Sequence, residues 1–261
     1  MSLFLASLIP LPTWGYGEEE GVIVAIDGPA GSGKSTVARE VAGCLGFTYL
    51  DTGAMYRAVT LLALENGVLL DDAPSLGALA VEAELAFSSD APSHGTSSSS
   101  ADGLPRLFAG GHDITLAIRS PEVTAAVSQV SAHRDVRTAM TIKQRELAAA
   151  GDTVLEGRDT GTVVCPDADV KVFLTASLAE RARRRRDQFV EQGVAVEADQ
   201  VERDIATRDR YDSGRSLAPL TRAPDAVEID TTVLTVEQVV EKVCALVESE
   251  RKAAKLKAAE A

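Results

Sequence analysis

Gly28-Pro29-Ala30-Gly31-Ser32-Gly33-Lys34-Ser35 satisfies the pattern G-x-x-x-x-G-K-[ST] at every defined position, and Thr36 follows it. The flanking residues make the reading specific. Val22-Ile23-Val24-Ala25-Ile26 is a continuous apolar run, as in a strand buried on both faces. From Lys34 to Leu45, apolar Val37, Ala38, Val41 and Leu45 recur at helical spacing. Strand, glycine-rich turn and helix in this order form a phosphate-binding P-loop. Its glycines let backbone N–H groups converge on phosphate oxygens, and the helix N-terminus adds the positive end of its dipole. Lys34 then reaches the β- and γ-phosphates while Ser35 ligates Mg²⁺. Gly28 to Thr36 are therefore the expected ATP-binding residues, Lys34 an expected catalytic one, and Mg²⁺ carried with ATP the expected cofactor.

Working outward, further apolar strands are predicted at Phe47–Leu50, Thr153–Leu155, Val170–Leu174 and Ala226–Ile229, with helical patterns between them. A last helix opens after Thr235 with a T-x-x-Q capping box to Gln238 and places Val236, Val239, Val240, Val243 and Val247 on one face. This alternation predicts an α/β layered fold around a parallel sheet with helices on both faces. Two stretches interrupt it. Around Ser88–Gly103, where seven of 16 residues are serine, short strands at Leu85–Phe87 and Leu104–Phe108 suggest a hairpin insert with a flexible tip. From Arg181 to Arg215 there are nine arginines in 35 residues.

The whole chain has 261 residues, 26 basic and 39 acidic, for a net charge of −13, which disfavours a general grip on a nucleic acid polymer. Between Glu156 and Arg222, 12 basic residues meet 13 acidic ones, so positive charge is concentrated in one region of an otherwise acidic protein. Cys44, Cys165 and Cys244 are far apart and form no C-x-x-C pair, which argues against a disulfide framework or zinc site and fits a reducing cytoplasm. Met1–Leu11 is apolar without a preceding basic residue, and no run reaches membrane-spanning length; residues 1–20 are read as a disordered or appended extension and no membrane partner is expected. His94, His112 and His133 fall in no metal or triad spacing and are read as surface residues.

A P-loop leaves the phosphate acceptor open. Guanine-specific switches use an N-K-x-D segment, but Asn66 is the only asparagine here and Gly67 follows it. Three other segments are more telling. Asp51-Thr52-Gly53-Ala54-Met55-Tyr56-Arg57 follows the second strand, Glu156-Gly157-Arg158-Asp159-Thr160-Gly161-Thr162-Val163-Val164 follows the third, and Arg208-Asp209-x-x-Asp212-Ser213-x-Arg215 lies in the arginine-rich region. In this order they resemble the bacterial cytidylate kinases, within the nucleoside monophosphate kinase group, over about Val22 to Val247.

The resemblance implies transfer of the ATP γ-phosphoryl group to CMP or dCMP. It implies Thr52, Tyr56 and Arg57 as a monophosphate-binding wall, with Arg57 and Arg158 on the acceptor phosphate, for which guanidinium forks are suited. Ser128, Arg137 and Asp159 resemble the cytosine-reading set, Arg208 and Asp212 the sugar-side and lid contacts, and Arg215 a phosphate contact. Arg158 and Arg215 thus join Lys34 as expected catalytic residues, and Arg184 and Arg185 are the expected lid arginines. The implied organisation is a P-loop kinase core over 21–81, 119–175 and 216–250, a small β-containing monophosphate-binding insert over 82–118, an Arg-rich helical lid over 176–215 and a tail over 251–261, acting as a monomer. The lid is expected to stand open without ligands, because its arginines would repel one another. Two alternatives stay open: a small-alcohol kinase with Asp51 as base, and a non-catalytic nucleotide-binding regulatory module.

Overall fold

A computed structural model describes residues 21–87, 105–191, 193 and 196–260. The expected extension over 1–20 and the serine-rich insert tip lie outside the described residues. In chain order the elements are β1 (Ile23–Asp27), α1 (Lys34–Leu45), β2 (Thr48–Asp51), α2 (Thr52–Glu65), α3 (Ala73–Glu82), β3 (Leu85–Phe87), β4 (Leu107–Ala109), β5 (His112–Asp113), α4 (Pro121–Val130), α5 (Arg134–Ala148), β6 (Thr153–Gly157), β7 (Val170–Thr175), α6 (Leu178–Glu191), α7 (Ala198–Gly214), β8 (Val227–Asp230) and α8 (Val236–Glu260).

The five apolar runs form one sheet in the order β2-β6-β1-β7-β8, with every pair parallel. Alternate residues of each run face opposite layers. On one side Val24 and Ile26 pack with Val154 and Val172 against Val37, Ala38 and Val41 of α1 and Val239, Val243 and Val247 of α8. On the other, Ala25, Leu50 and Leu155 pack against Met55 and Val59 of α2 and Val136 and Met140 of α5. Burial on both faces explains why these strands read as continuous rather than alternating apolar runs. The chain leaves β1 for β2 on one side of the sheet and returns to β7 on the other, so the P-loop lies at the switch point where open α/β sheets bind ligands.

The capping box forms: Thr235 N donates to Gln238 Oε1 at 3.0 Å, and Gln238 N donates to Thr235 Oγ1 at 3.3 Å. Val236, expected on the buried face, is exposed instead. It stands in the first turn, where the helix has only begun to lean on the sheet. Residues expected as a tail from 251 continue α8 to Glu260, where Arg251 bonds Asp152 and lies over the Phe47 ring.

The insert is a three-stranded antiparallel sheet, β3-β4-β5. Its second strand starts at Leu107 rather than Leu104, and β5, two residues long, is too short to leave a period in the sequence. Leu107, Ala109 and Ile114 bury against Ala54, Ala58 and Leu61 of α2, which anchors the insert beside the second strand's motif. His133 is not a surface residue: it is half buried and its Nε2 bonds Leu70 O at 2.8 Å, joining the α4–α5 turn to the segment before α3.

Candidate functional site

The P-loop leaves β1 at Gly28, whose φ of 152° and crowding exclude any side chain: a Cβ there would stand 2.0 Å from Leu174 O of β7. Gly31 (φ 77°) and Gly33 (φ 91°) are also left-handed, and Gly33 caps α1. Gly28→Ala is accordingly expected to destabilise the fold by more than about 3 kcal/mol, by backbone clash at a position that cannot relax. Thermal or denaturant unfolding reads this directly; an unfolding midpoint within a degree of wild type would contradict it.

Lys34 folds back along the loop, donating from Nζ to Pro29 O at 2.9 Å. Burial, followed by the charges of Arg158 and Arg208, pulls its ammonium down to about 7, against the attraction of Glu156 and Asp27. Ser35 and Thr36 are exposed in the first turn of α1, while the buried Ser32 hydroxyl has no partner among the described residues.

Behind the loop, carboxylates stand at adjacent strand ends. Glu156 of β6 lies opposite Asp51 of β2 and accepts from Tyr49 Oη at 2.6 Å. Burial and the Asp51 charge push its carboxyl up, against the pull of Lys34 and the Ser35 and Tyr49 hydroxyls. A Mg²⁺ ion keeps several waters and takes few protein ligands beside substrate phosphates. An exposed Ser35 hydroxyl with carboxylates close behind it fits that demand. Asp51 itself caps α2, accepting from Ala54 N at 2.9 Å.

The expected acceptor residues converge on the same sheet edge. Arg158 donates from Nε to Asp212 Oδ2 at 2.9 Å and from Nη1 to Gly28 O at 2.8 Å, so it bridges α7 and the P-loop. Arg208 and Arg215 approach the same Asp212 carboxylate at 3.9 Å each. Asp159 pairs with Arg137, which also donates from Nη1 to Ser131 O at 3.1 Å and lies 5.3 Å from the Tyr56 ring centroid. Thr52 Oγ1 donates to Glu156 O at 2.7 Å, and Arg57 Nη1 donates to Thr124 Oγ1 at 3.0 Å. Ser128 is half buried on α4, where its carbonyl accepts from Ser131 Oγ at 3.2 Å.

The cations exceed the carboxylates among them. Burial and then Arg158 and Arg57 pull Arg208 down to about 10, and burial lowers Arg57, with Arg185, Arg119 and Arg158 adding to the effect despite Asp51. Burial also lowers Arg215, with Arg137 and Arg158 contributing. Among the described residues, the buried Arg208 Nε and Arg215 Nη2 atoms find no hydrogen-bond partner. Such a cluster is completed by an anion carrying several acceptor oxygens.

The expected open lid differs from what is found. α6 and α7 pack together through Ala182, Val201 and Ile205 and lie on the P-loop. Arg181 donates from Nη1 to Ala30 O at 3.1 Å and pairs with Asp209, which in turn accepts from Ala30 N at 3.3 Å. Arg183 pairs with Glu180 and Asp187. Intrahelical and α6–α7 carboxylates, Asp187 and Asp209 among them, thus supply the counter-charge that offsets repulsion between the arginines. The two expected lid arginines separate: Arg184 binds Glu180 and donates to Thr231 O at 2.7 Å, whereas the Arg185 charge is felt by Arg57 and Arg208.

Several site residues escaped the sequence reading. Asp27 carries no spacing signature, and Arg145, which donates from Nε to Val164 O at 2.8 Å and from Nη2 to Val163 O at 2.7 Å, looks like any helix-surface cation. For Asp27 and Glu156 one signal was available: a carboxylate at the C-terminal end of a buried parallel strand, next to a P-loop, stands where such sheets hold their ligands.

The chain is similar to known proteins over most of its length. A family model described as cytidylate kinase matches residues 24–249. A cytidylate kinase of Shouchella clausii is 50% identical over 228 residues, which are 87% of this chain and 96% of that protein. One from Lactobacillus gasseri is 44% identical over 229 residues, 88% of this chain and 95% of that protein. A bifunctional pantoate ligase/cytidylate kinase of a Synechococcus species is 50% identical over 224 residues, 86% of this chain but 40% of that longer protein.

Proposed function

The chain belongs to the cytidylate kinase family, and from that membership and the site's geometry we propose that it transfers the γ-phosphoryl group of ATP to CMP or dCMP, giving ADP and the cytidine diphosphate. The observation that carries the reading is the buried Arg137–Asp159 pair beneath Tyr56, set beside a group of under-compensated cations that includes Lys34. A carboxylate accepts from the cytosine N4 amino group while an arginine donates to the ring acceptors, so the pair suits that base edge. Arg57, Arg158, Arg208 and Arg215 suit the acceptor phosphate and the transferring group, with Asp212 holding three of them in register.

The nucleophile is a phosphate oxygen, already ionised near neutral pH, so no general base is needed. Asp51 caps α2 through Oδ1, and the cluster of Arg57, Arg158, Arg208 and Arg215, which a neutral alcohol does not need, argues against the small-alcohol reading. Catalysis then rests on positioning and on preorganised charge. Ser35 would hold Mg²⁺, which when bound neutralises charge on the β- and γ-phosphates. The β-insert over 82–118 is read as monophosphate-binding and α6–α7 as the lid that excludes water. The reading goes with a cytoplasmic location, and among the described residues no helix is long and apolar enough to cross a membrane.

A coupled assay with ATP over CMP, dCMP, UMP and AMP tests the reading: CMP and dCMP are expected to be the fastest acceptors, and faster turnover on AMP would refute it. A second expectation concerns protons. Phosphates facing Lys34 raise its pKa from the value of about 7 in the free site. The affinity gained this way is complete below the free value and declines as pH rises from about 7 toward the bound value. ATP should therefore bind more weakly at pH 9 than at pH 7, with net proton uptake at pH 8. Calorimetry at pH 8 in buffers of different ionisation enthalpy measures that uptake, and a buffer-independent enthalpy would contradict it.

A further inference from the structure

Asp27 ends β1 immediately before the P-loop, yet its carboxylate turns toward the neighbouring strand's exit. Oδ1 accepts from Thr160 N at 2.9 Å and from Thr160 Oγ1 at 2.8 Å, and Oδ2 accepts from Gly161 N at 2.8 Å. The side chain is buried. Asp27 lies opposite Gly157 at the last paired position of β1 and β6. Its carboxylate therefore continues the connection between the two strands beyond the point where the backbone ladder stops. Arg158 and Asp159 occupy the interval that this clamp closes, between Gly157 on the strand and Thr160 in the turn.

We propose that Asp27 is a positioning residue that fixes Arg158 and Asp159 relative to the P-loop, so that the groups facing the phosphates and the group facing the acceptor base form one rigid unit. The inference rests on reading the site as a CMP kinase. The segment has little other freedom. A Cβ on Gly157 would stand 2.6 Å from both Thr160 Cγ2 and Thr52 Oγ1, and Arg158 Nη1 already reaches back to Gly28 O. Burial, aided by the Asp159 charge, works against ionisation of Asp27, and the three donors work for it. A buried carboxylate is a poor source of stability compared with an apolar side chain of similar size, but three convergent donors give it a single geometry. All three bonds use Asp27 only as an acceptor. An asparagine would turn an amide N–H toward at least one of these donors, so it is not a conservative replacement here.

The test compares Asp27→Asn and Thr160→Val with wild type in the whole chain. Thr160→Val keeps the shape of the side chain and removes only the hydroxyl donor. Unfolding midpoint, the Kd of a non-hydrolysable ATP analogue, KM for CMP, and the CMP to UMP ratio of kcat/KM are measured for each. Asp27→Asn is expected to hold the ATP analogue within threefold of wild type, raise KM for CMP at least tenfold and lower the CMP to UMP ratio at least tenfold. Thr160→Val should move KM and the ratio in the same direction by about two- to fivefold. A purely structural role would reduce the active fraction, and hence kcat, while KM and the ratio stay at wild-type values. That result in a folded Asp27→Asn overturns the proposal; if Asp27→Asn does not fold, the same result in Thr160→Val overturns it. A wild-type enzyme that does not turn over CMP would instead refute the functional reading on which both variants depend.

Discussion

Lys34→Met is expected to lower kcat by at least about 10²–10³-fold, the loss typical of removing one preorganised electrostatic donor from a transition state, while leaving the protein folded. Both halves follow from the surroundings of Lys34. Among the described residues its ammonium donates only to Pro29 O, within the loop itself, and it contributes no apolar contact to the core clusters. Its pKa is lowered from 10.5 to about 7, chiefly by burial and then by Arg158. For a base, this means that folding opposes the charged form: the penalty is absent above the unfolded value and complete below about 7. At neutral pH the methionine variant discards that penalty but also takes from the buried Glu156 and Asp27 carboxylates the charge that attracts them, so the two effects oppose and it should melt close to wild type. As pH rises toward 10 the two melting points should converge, because the wild-type penalty disappears. Turnover measured beside thermal unfolding between pH 6 and 10 checks this; retained turnover, or a variant that melts well below wild type at pH 7, would refute the assignment.

The sheet was legible because its strands are buried on both faces. Val24 and Ile26 supply one layer and Ala25 the other, so the run has no polar positions and its P-loop context is unambiguous. The phosphate side was legible for a different reason: its residues, Gly28 to Thr36, are consecutive. The acceptor side depends on contacts across 22 residues for Arg137 and Asp159 and 54 for Arg158 and Asp212, which no local period records; only the family resemblance pointed there. Least legible were contacts fixed by register. Asp27 meets Thr160 because β1 and β6 pair with Asp27 opposite Gly157, and a one-residue slip would aim the carboxylate at the other layer. The sorting of Arg184 from Arg185 likewise depends on which face of α6 leans on the P-loop, and the amphipathic signal of a helix with so many charges does not mark that face. The pairing of Arg181 with Asp209 was unreadable from composition, since an arginine-rich stretch gives no hint of which carboxylate folds back on it.

Asp159→Ala should remove both rate and base selectivity, and the way it does so separates a base-reading pair from a merely structural one. The side chains of Arg137 and Asp159 are only 7% and 8% exposed. Burial works against the Arg137 charge, but Tyr56 and Asp159 more than offset it and leave its pKa raised. Removing Asp159 alone strands that charge, and breaking a buried pair by deleting one partner costs about 3–5 kcal/mol. Removing both, as in Asp159→Ala with Arg137→Met, restores an uncharged interior, so the double variant should be more stable than the sum of the single losses predicts. Activity should not recover with stability. The acceptor's N4 amino group still lacks a partner, and an unpaired buried donor costs about 1–3 kcal/mol, so discrimination between CMP and UMP stays lost in both the single and the double variant. The expected pattern is thus a stability cycle with strong coupling beside a selectivity that falls at the first substitution and does not return. If selectivity recovers together with stability in the double variant, the pair only supports the fold, and the cytosine edge is read by other residues.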